Sequence, residues 1–181
     1  MQTPSIPDNE SPRLALLKAL NILDTPRHES FDNLTELVAR IFGAPMVAIS
    51  LVDINRQWFK SSVGMPVCET SRDVSLCGHV IALKQPLVVE DTHLDERFAD
   101  NPLVREPPFI RSYCGMPLAP FGEEIVGTLC LIDSAPRVYS DNDLALMGRL
   151  AKQAEYLLLM HHQGQQLQSH FRQPMSVANS L

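Results

Sequence analysis

The chain of 181 residues lacks the features that mark several large classes of protein. No apolar run approaches the length that spans a bilayer, and the N-terminus has no basic region followed by an apolar one, so no secretion signal is predicted. The net charge of −6 argues against a nucleic-acid surface, which needs an excess of basic residues. We therefore expect a cytoplasmic protein with no nucleic-acid partner and no membrane partner.

Cysteine is scarce, and its spacing argues against a metal centre. The four cysteines, Cys68, Cys77, Cys114 and Cys130, include no C-x-x-C pair, so free thiols or core residues are expected rather than disulfides or metal ligands. The chain also has no nucleophile elbow, P-loop, Rossmann fingerprint or HExxH motif. These absences weigh against the common enzyme classes, and we expect a protein that is not an enzyme.

The apolar pattern predicts one α+β domain. The predicted order begins with two amphipathic helices, a hairpin, a short helix and a short strand. It continues with a long irregular connection over residues 91–108, a second hairpin and a long helix. The apolar run Met46–Val52 predicts a central strand buried on both faces. We expect a flexible leader over residues 1–10, the domain over residues 11–162 and a polar tail over residues 163–181.

The turn after this first strand carries unusual residues for a hairpin loop. It contains Asp53, Arg56, Lys60 and the chain's only tryptophan, Trp58. Tryptophan and arginine are enriched at interaction hot spots, so the turn could be a binding surface. Alternatively, Trp58 packs over the sheet while Arg56 pairs with Asp53 across the turn.

Residues 72–79 form the richest polar cluster. Ser75 is placed to cap a helix over residues 76–83, whose N-terminus attracts anions, and Arg72 could add a bidentate contact. Cys77 lies in the first turn, and His79 points away from it, which argues against a Cys/His dyad. Alternatively, Ser75 is only a cap, Cys77 is core, and His79 bonds to loop backbone.

Further candidate ligand residues lie in the long connection and in the strand after it. Asp91, Arg97 and Asn101 are polar, with a helical turn expected near residues 96–101, but EF-hand spacing is absent and a solvated loop is the alternative. In the strand, alternation places Tyr113 and Gly115 on one face. A glycine there marks a close approach of backbone or ligand.

Several stretches together resemble one subgroup of GAF domains, the small-molecule sensor modules of bacterial signalling proteins. The resemblance runs from about residue 13 to about residue 156 and begins with Asp-x-x-Arg-Gln-Trp-Phe-Lys-Ser over residues 53–61. Its other pieces are residues 20–25, 31–35, 71–79, 95–102, 110–118 and 127–133.

The resemblance implies a PAS/GAF-like central antiparallel sheet of about six strands with helices on both faces. It also implies a pocket beneath the loops after the second strand, for which we expect as ligand residues Cys77, His79, Asp91, Arg97, Asn101, Tyr113 and Gly115. Asp53, Arg56, Trp58, Lys60, Arg72 and Ser75 are expected as signature or loop-clasp residues. The signatures for cyclic-nucleotide binding and for covalent bilin attachment are missing, so the ligand is unknown.

In most proteins with such a domain, it precedes a histidine kinase, a diguanylate cyclase or a phosphodiesterase. A sensor is therefore expected to signal through its first and last helices, in a homodimer formed by those helices. One alternative is a dimerisation module with a degenerate pocket, based on the apolar stripe from Leu144 to Leu158. Another is a thiol-based reductase of free methionine sulfoxide that uses Cys77 or Cys114.

Overall fold

The computed structural model describes residues 1–172, which form one sheet with helices on both faces. The helices are α1 (Glu10–Ala19), α2 (Glu29–Phe42), α3 (Leu76–Leu83), α4 (Pro102–Arg105) and α5 (Asp141–Arg172). The strands are β1 (Met46–Val52), β2 (Arg56–Val63), β3 (Glu69–Ser71), β4 (Leu87–Val89), β5 (Ser112–Leu118) and β6 (Gly127–Asp133). Within this described part, no helix is long and apolar enough to cross a membrane.

The sheet has six strands in the order β3-β2-β1-β6-β5-β4, and every pairing is antiparallel. The predicted α+β class and six-stranded sheet are confirmed. Strand β1 lies inside the sheet between β2 and β6, and all seven of its residues are buried. Its near-continuous apolar sequence follows from this position, because both faces of the strand are covered.

Each face of the sheet has its own hydrophobic core. On one face, the odd-numbered β1 residues Val47, Ile49 and Leu51 pack with α1, α2 and α5. On the other, Met46 and Ala48 pack with α3 and with the long connection between β4 and β5. We call these the α5 face and the α3 face. Strand alternation separates the two sets of side chains.

The local predictions agree with the structure in part. Strand β3 lies between the first hairpin and α3, where no strand was expected. The helical turn expected near residues 96–101 is present, since the Phe98 and Ala99 N–H groups donate to the Asp95 carbonyl at 2.9 Å each, and α4 follows it with Asn101 as its N-cap. The N-cap of α2 is His28, because the His28 ring accepts the Ser30 backbone N–H. The predicted cap of α3 by Ser75 is present, since the Ser75 hydroxyl accepts the Gly78 N–H at 2.9 Å.

The N-terminal segment, expected to be a flexible leader, lies against the domain. Pro4 and Pro7 are buried, and the Gln2 backbone N–H donates to the Arg97 carbonyl at 2.9 Å. At the other end, α5 continues to Arg172, ten residues beyond the expected end of the domain at residue 162. Residues 173–181 of that expected tail lie outside the described residues.

Candidate functional site

A buried polar cluster occupies the α3 face at the centre of the sheet. The Tyr113 hydroxyl donates to the Cys77 sulfur at 3.2 Å, and the Cys77 and Cys130 sulfurs lie 4.0 Å apart. Ser50 and Thr128, paired across β1 and β6, are fully buried on the same face. Their hydroxyl oxygens have no hydrogen-bond partner of good geometry. Buried hydroxyls are nearly always paired, so these two mark an unusual place in an apolar core.

The cluster perturbs the ionisation of its own members. Burial alone would raise the pKa of Cys77, but hydrogen-bonding groups on Cys130, Thr128, Tyr113 and Ser50 outweigh it and lower that pKa. The hydroxyls of Ser50 and Thr128 are thus close enough to favour a thiolate, although they make no good bond to the neutral thiol. Burial and the neighbouring sulfur atoms raise the pKa of Tyr113 well above its ordinary value. A polar or anionic group placed here would find donors already aimed at it.

Strand alternation places Tyr113 and Gly115 together, as predicted, with Cys114 and Met116 on the opposite face. The Tyr113 ring lies over Gly115, so close that a Cβ at position 115 would overlap the phenol oxygen. Gly115 therefore makes room for Tyr113 to lie flat and reach Cys77. In the structure, the close approach expected at this glycine is made by a neighbouring side chain.

His79 and Arg97 lie at the edge of α3, outside the buried cluster. The His79 Nε2 is 3.0 Å from the Gln2 carbonyl oxygen, and its ring meets Phe98 edge-on at 4.9 Å. Burial lowers the pKa of His79, with a smaller contribution from the Arg97 charge. Gly78 approaches another part of the N-terminal segment, since a Cβ there would lie 2.7 Å from the Pro4 Cγ.

The remaining predicted ligand residues are dispersed. Asp91 forms an ion pair with Arg111 at 2.7 Å, and Arg97 forms one with Asp95 at 2.6 Å. Asp91 and Arg97 both line an open groove of about 830 Å³ on the outside of the long connection. Asn101 caps α4 and donates to the Val74 carbonyl at 2.9 Å. Arg97 and Asn101, expected to point the same way, make separate contacts because α4 begins after Asn101.

The hairpin that carries the signature residues packs against the core and forms ion pairs with neighbouring segments. Trp58 is buried in the core of the α5 face, and Arg56 reaches Asp53 at 3.5 Å, as the packing interpretation required. Arg56 makes shorter ion pairs with Asp24 at 2.6 Å and Glu69 at 2.7 Å. Both partners are remote in sequence, and they join the hairpin to the segment before α2 and to β3.

Arg72 and Ser75 also hold the fold together. Arg72 forms an ion pair with Glu10 of α1 and donates to the Asp53 carbonyl at 3.2 Å. Ser75 donates to the Gln57 side chain while capping α3. The Arg72 Nη1 is thus paired with a carboxylate of the protein itself, while its buried Nη2 has no hydrogen-bond partner in the described part of the chain. Among the described residues, no group of histidine, cysteine and acidic side chains is arranged to hold a metal ion.

The family model of the GAF domain matches residues 26–158. The chain belongs to the GAF family. A cyclic di-GMP phosphodiesterase of Pseudomonas aeruginosa is 37% identical over 153 residues, which cover 84% of this chain and 26% of that protein. The GAF chain therefore spans about a quarter of the length of this relative.

Solved structures show the same fold at low sequence identity. The GAF domain of an Acinetobacter phosphoenolpyruvate-protein phosphotransferase has a TM-score of 0.64 at 20% identity, covering 86% of this chain and 98% of that one. The free methionine-R-sulfoxide reductase of Neisseria meningitidis, in complex with its substrate, has a TM-score of 0.63 at 18% identity, covering 91% and 98%. At these identities the likeness establishes the fold alone.

Sequence reasoning missed Ser50 and gave Thr128 little weight. Ser50 is the one polar residue in the apolar strand β1, and Thr128 lies at the start of β6. A hydroxyl residue inside a strand expected to be buried on both faces is a detectable signal, because burial of an unpaired hydroxyl is costly. What the sequence could not show is that these residues lie opposite each other on neighbouring strands, facing the same helix.

Proposed function

We propose that this GAF domain is a non-enzymatic sensory or regulatory module that binds a small polar molecule between α3 and the sheet. The observation that carries the proposal is the pair of unpartnered buried hydroxyls, Ser50 and Thr128, beside the Cys77–Tyr113 contact. A ligand that bonds to them would recover the free energy that their burial costs.

The N-terminal segment supplies a route from this site to the terminal helices. Gln2 contacts His79 and Arg97 at the edge of α3, and the same segment leads directly into α1. A ligand that moved α3 or the long connection would move these contacts. Such a ligand signals only if it binds one arrangement of the helices better than the other. The relative's name supports an output of the cyclic di-GMP type, and a histidine kinase is the other expected partner class.

Replacing Thr128 by valine should separate ligand binding from stability. We expect Thr128→Val to raise the melting temperature of the ligand-free domain slightly, because it replaces an unpaired buried hydroxyl by a methyl group of similar shape. We also expect native mass spectrometry to detect a co-purified small molecule on the wild-type domain and none on Thr128→Val. That molecule should leave the wild-type protein with its mass unchanged, as binding without turnover requires.

Thr35→Val is the matched control for this substitution. Thr35 is equally buried, but its hydroxyl bonds to the Asp32 carbonyl at 3.0 Å and contacts the Ser61 hydroxyl at 2.8 Å. This variant should lose stability by about 1 kcal/mol and keep the ligand. The proposal fails if the wild-type domain carries no molecule and none from a metabolite library shifts its melting, or if Thr128→Val binds as the wild type does.

We further propose that the domain forms a homodimer through its terminal helices. The stripe Leu144–Leu158 that motivated this idea packs against the domain's own sheet, since Met147, Ala154 and Leu158 are buried there. A second stripe on α5 is exposed and consists of Tyr156, Met160, Leu167 and Phe171. Tyr156, Met160 and Leu167 fall at d, a and a of a heptad repeat, the positions that form a seam between two helices, and Phe171 lies beside them at e. We therefore propose that this stripe contacts the same stripe on a second copy of the chain.

Sedimentation at micromolar concentration should show a dimer for the wild-type chain. The double variant Tyr156→Glu/Leu167→Glu should be a monomer with an unchanged fold, because it places like charges at the seam. Leu94→Glu is the control, as Leu94 is 84% exposed on the long connection, far from α5. A monomeric wild type, or a dimer that survives the double substitution, would remove the dimer proposal and leave the ligand proposal standing.

A further inference from the structure

A second cleft opens on the α5 face, on the side of the sheet opposite the proposed ligand site. It has a volume of about 460 Å³ and lies between the start of α2, strand β2 and the last third of α5. One wall carries Lys60, His28 and Arg27, and the other carries His161. Between them the lining is apolar, with Phe31, Leu157 and Met160.

A β-bulge at Lys60 puts this residue and the neighbouring Ser61 on the same face of the sheet. Ser50 pairs with Phe59 while Ile49 pairs with Ser61, so Lys60 is the extra residue on β2. Phe59 packs on the α3 face, whereas Lys60 reaches Thr25 and the neighbouring Ser61 reaches Thr35 of α2 on the α5 face. Bulges redirect side chains in this way and are over-represented beside active sites.

The buried ammonium of Lys60 lacks a carboxylate of its own. Its Nζ donates to the Thr25 hydroxyl at 2.8 Å and to the Pro26 carbonyl at 2.7 Å, and it lies 5.4 Å from the centre of the Phe31 ring. Lys60 is only 2% exposed, and a lysine is rarely buried to this degree without an ion pair.

The nearest acid is already shared. The Asp32 carboxylate accepts from the Ser61 hydroxyl at 2.6 Å and forms an ion pair with Arg27 at 3.0 Å. Two cations therefore depend on one carboxylate. Burial lowers the pKa of Lys60, and Asp32 only partly opposes this. Glu36 also attracts Arg27, so Lys60 is the cation of this wall that has no ion pair of its own among the described residues.

Two histidines face the same space. The His28 Nδ1 accepts the Ser30 backbone N–H at 3.3 Å, which leaves its Nε2 as the nitrogen that carries the hydrogen. The His161 Nε2 donates to the Asn21 carbonyl oxygen at 3.3 Å, so the Nδ1 of the neutral ring is an acceptor and becomes a donor to an anion only when the ring is protonated. Burial lowers the pKa of His161, and the charges of Lys60, His28 and His162 lower it further. Mutual repulsion among these groups is relieved by an anion placed among them.

We propose that this cleft binds a small organic anion, a phosphate monoester or a carboxylate carried on an aromatic or aliphatic body. Lys60, His28 and Arg27 would hold the anionic group, and Phe31 and Leu157 would cover the body. Cationic side chains form charge-assisted hydrogen bonds with both phosphates and carboxylates. The site is separate from the one beneath α3 and does not depend on it.

Binding here has a consequence for α5. The last α5 residue buried in the core is Leu158, and beyond it the described side chains are exposed or half-buried. An anion held by Lys60 and His161 would connect this projecting part of α5 to β2 and α2. The ligand would then favour one position of the helix over others, in proportion to its preference for that position.

The test uses the full chain and phenyl phosphate as the probe, with benzoate, inorganic phosphate and phenol as comparisons. Imidazole NMR resonances of His28 and His161 should shift on titration with phenyl phosphate, whereas those of His79 on the other face should not. Lys60→Met and, independently, His161→Gln should each weaken binding, by about tenfold for Lys60→Met. Lys18→Met is the matched control, because Lys18 is exposed on α1 and should leave binding unchanged.

The comparison probes decide between the sources of the anion. Tighter binding of phenyl phosphate assigns a phosphate monoester, and tighter binding of benzoate assigns a carboxylate. Inorganic phosphate that binds as tightly as phenyl phosphate would contradict the apolar part of the site, and phenol that binds equally well would contradict the anionic part. Absence of histidine shifts at millimolar probe, or equal affinity in both cleft variants and the wild type, overturns the proposal.

Discussion

Replacing Glu10 by glutamine should lower the free energy of unfolding by about 3 kcal/mol, one of the two largest effects that we expect. The Glu10 carboxylate bonds to Arg13 Nε and Nη2 at 2.8 Å each, and it also forms an ion pair with Arg72. Removing its charge leaves two buried guanidinium groups without an acid. Since a domain is stable by only about 5–15 kcal/mol, this loss is a large fraction of the total.

The loss of stability in Glu10→Gln should appear first in α1. The Arg13 side chain is 1% exposed and also donates to the Val52 carbonyl at 2.7 Å, at the end of β1. Arg72 donates to the carbonyl of Asp53 in the signature turn. Glu10 therefore ties the first helix to both the central strand and the hairpin. Hydrogen exchange in Glu10→Gln should increase in residues 10–19 before it increases in β1.

The contribution of Glu10 should disappear in acid. Partial burial would raise the pKa of this carboxyl, but hydrogen bonds from Arg13 and Arg72 and their charges lower it from 4.5 to about 2. A lowered pKa in the folded state stabilises the fold above the ordinary pKa, and the stabilisation is lost as the pH falls through the folded value. The difference between wild type and Glu10→Gln should therefore be full at pH 7 and shrink between 4.5 and about 2.

Urea unfolding at a series of pH values measures this difference directly. Glu36→Gln is the control, because Glu36 is exposed on α2 and its replacement should change stability by less than about 0.5 kcal/mol. Glu10→Gln that unfolds with the wild type at neutral pH would contradict the role of Glu10 as the acid that both arginines require. A difference that stays constant down to pH 2 would contradict its assignment to a lowered pKa.

Features that depend on a few neighbouring residues were predictable from the sequence. The bounds of β1 follow from an unbroken apolar run, and Ser75 caps α3 because a hydroxyl directly precedes an apolar helix. Ser140 and Asp143 form the predicted reciprocal cap at the start of α5, with the Ser140 N–H bonded to the carboxylate at 2.9 Å. In each case, the side chain and the backbone group it satisfies are three residues apart or fewer.

Features that depend on distant contacts were not predictable. Strand β3 has only three residues, and it exists because Thr70 and its neighbours pair with the edge of β2. The N-terminal segment has the polar, proline-rich composition of a loose leader, yet Pro4 is buried against Gly78 of α3. Composition does not encode such a docking surface, because the surface is assembled from residues that are far away in the sequence.

The candidate site includes features that were predictable from neighbouring residues and features that were not, because they depend on distant contacts. Alternation correctly placed Tyr113 and Gly115 on one face. The expected single pocket failed to include Asp91, however, because Arg111 holds it in a groove outside the long connection. Arg111 was not weighed as a partner, since the two residues are twenty positions apart. The bulge at Lys60 depends on the strand register, which the hairpin sequence alone does not show.

Replacing Phe98 by alanine should cost about 3–5 kcal/mol of local or global stability. Phe98 is fully buried and lies at the centre of the connection between β4 and β5. The His79 ring meets it edge-on, and the Arg97 guanidinium lies 5.0 Å from its centre. Because Gln2 bonds to both His79 and Arg97, one phenyl ring supports the contacts that hold the N-terminal segment as well.

Hydrogen exchange and thiol labelling together measure this effect. Exchange should rise in residues 92–105 and in residues 2–7, while β1 and β6 stay protected, because a segment held by one anchor can open apart from the sheet. In the wild type, Cys68 is the exposed thiol and should react first with a thiol reagent. In Phe98→Ala, Cys77 of the same core should react as well.

The control and the contradicting outcomes follow from the position of the ring. Phe121→Ala removes the same atoms from a ring that is 49% exposed in the turn between β5 and β6, so it should change the unfolding free energy and the thiol reactivity far less. If Phe98→Ala keeps Cys77 unreactive and the N-terminal segment protected, Phe98 is not the anchor of the α3 edge. If instead exchange rises equally in β1 and β6, the connection unfolds only with the whole sheet. A ligand could then not enter beneath α3 by local opening, and the access route of the proposed sensor would have to be sought elsewhere.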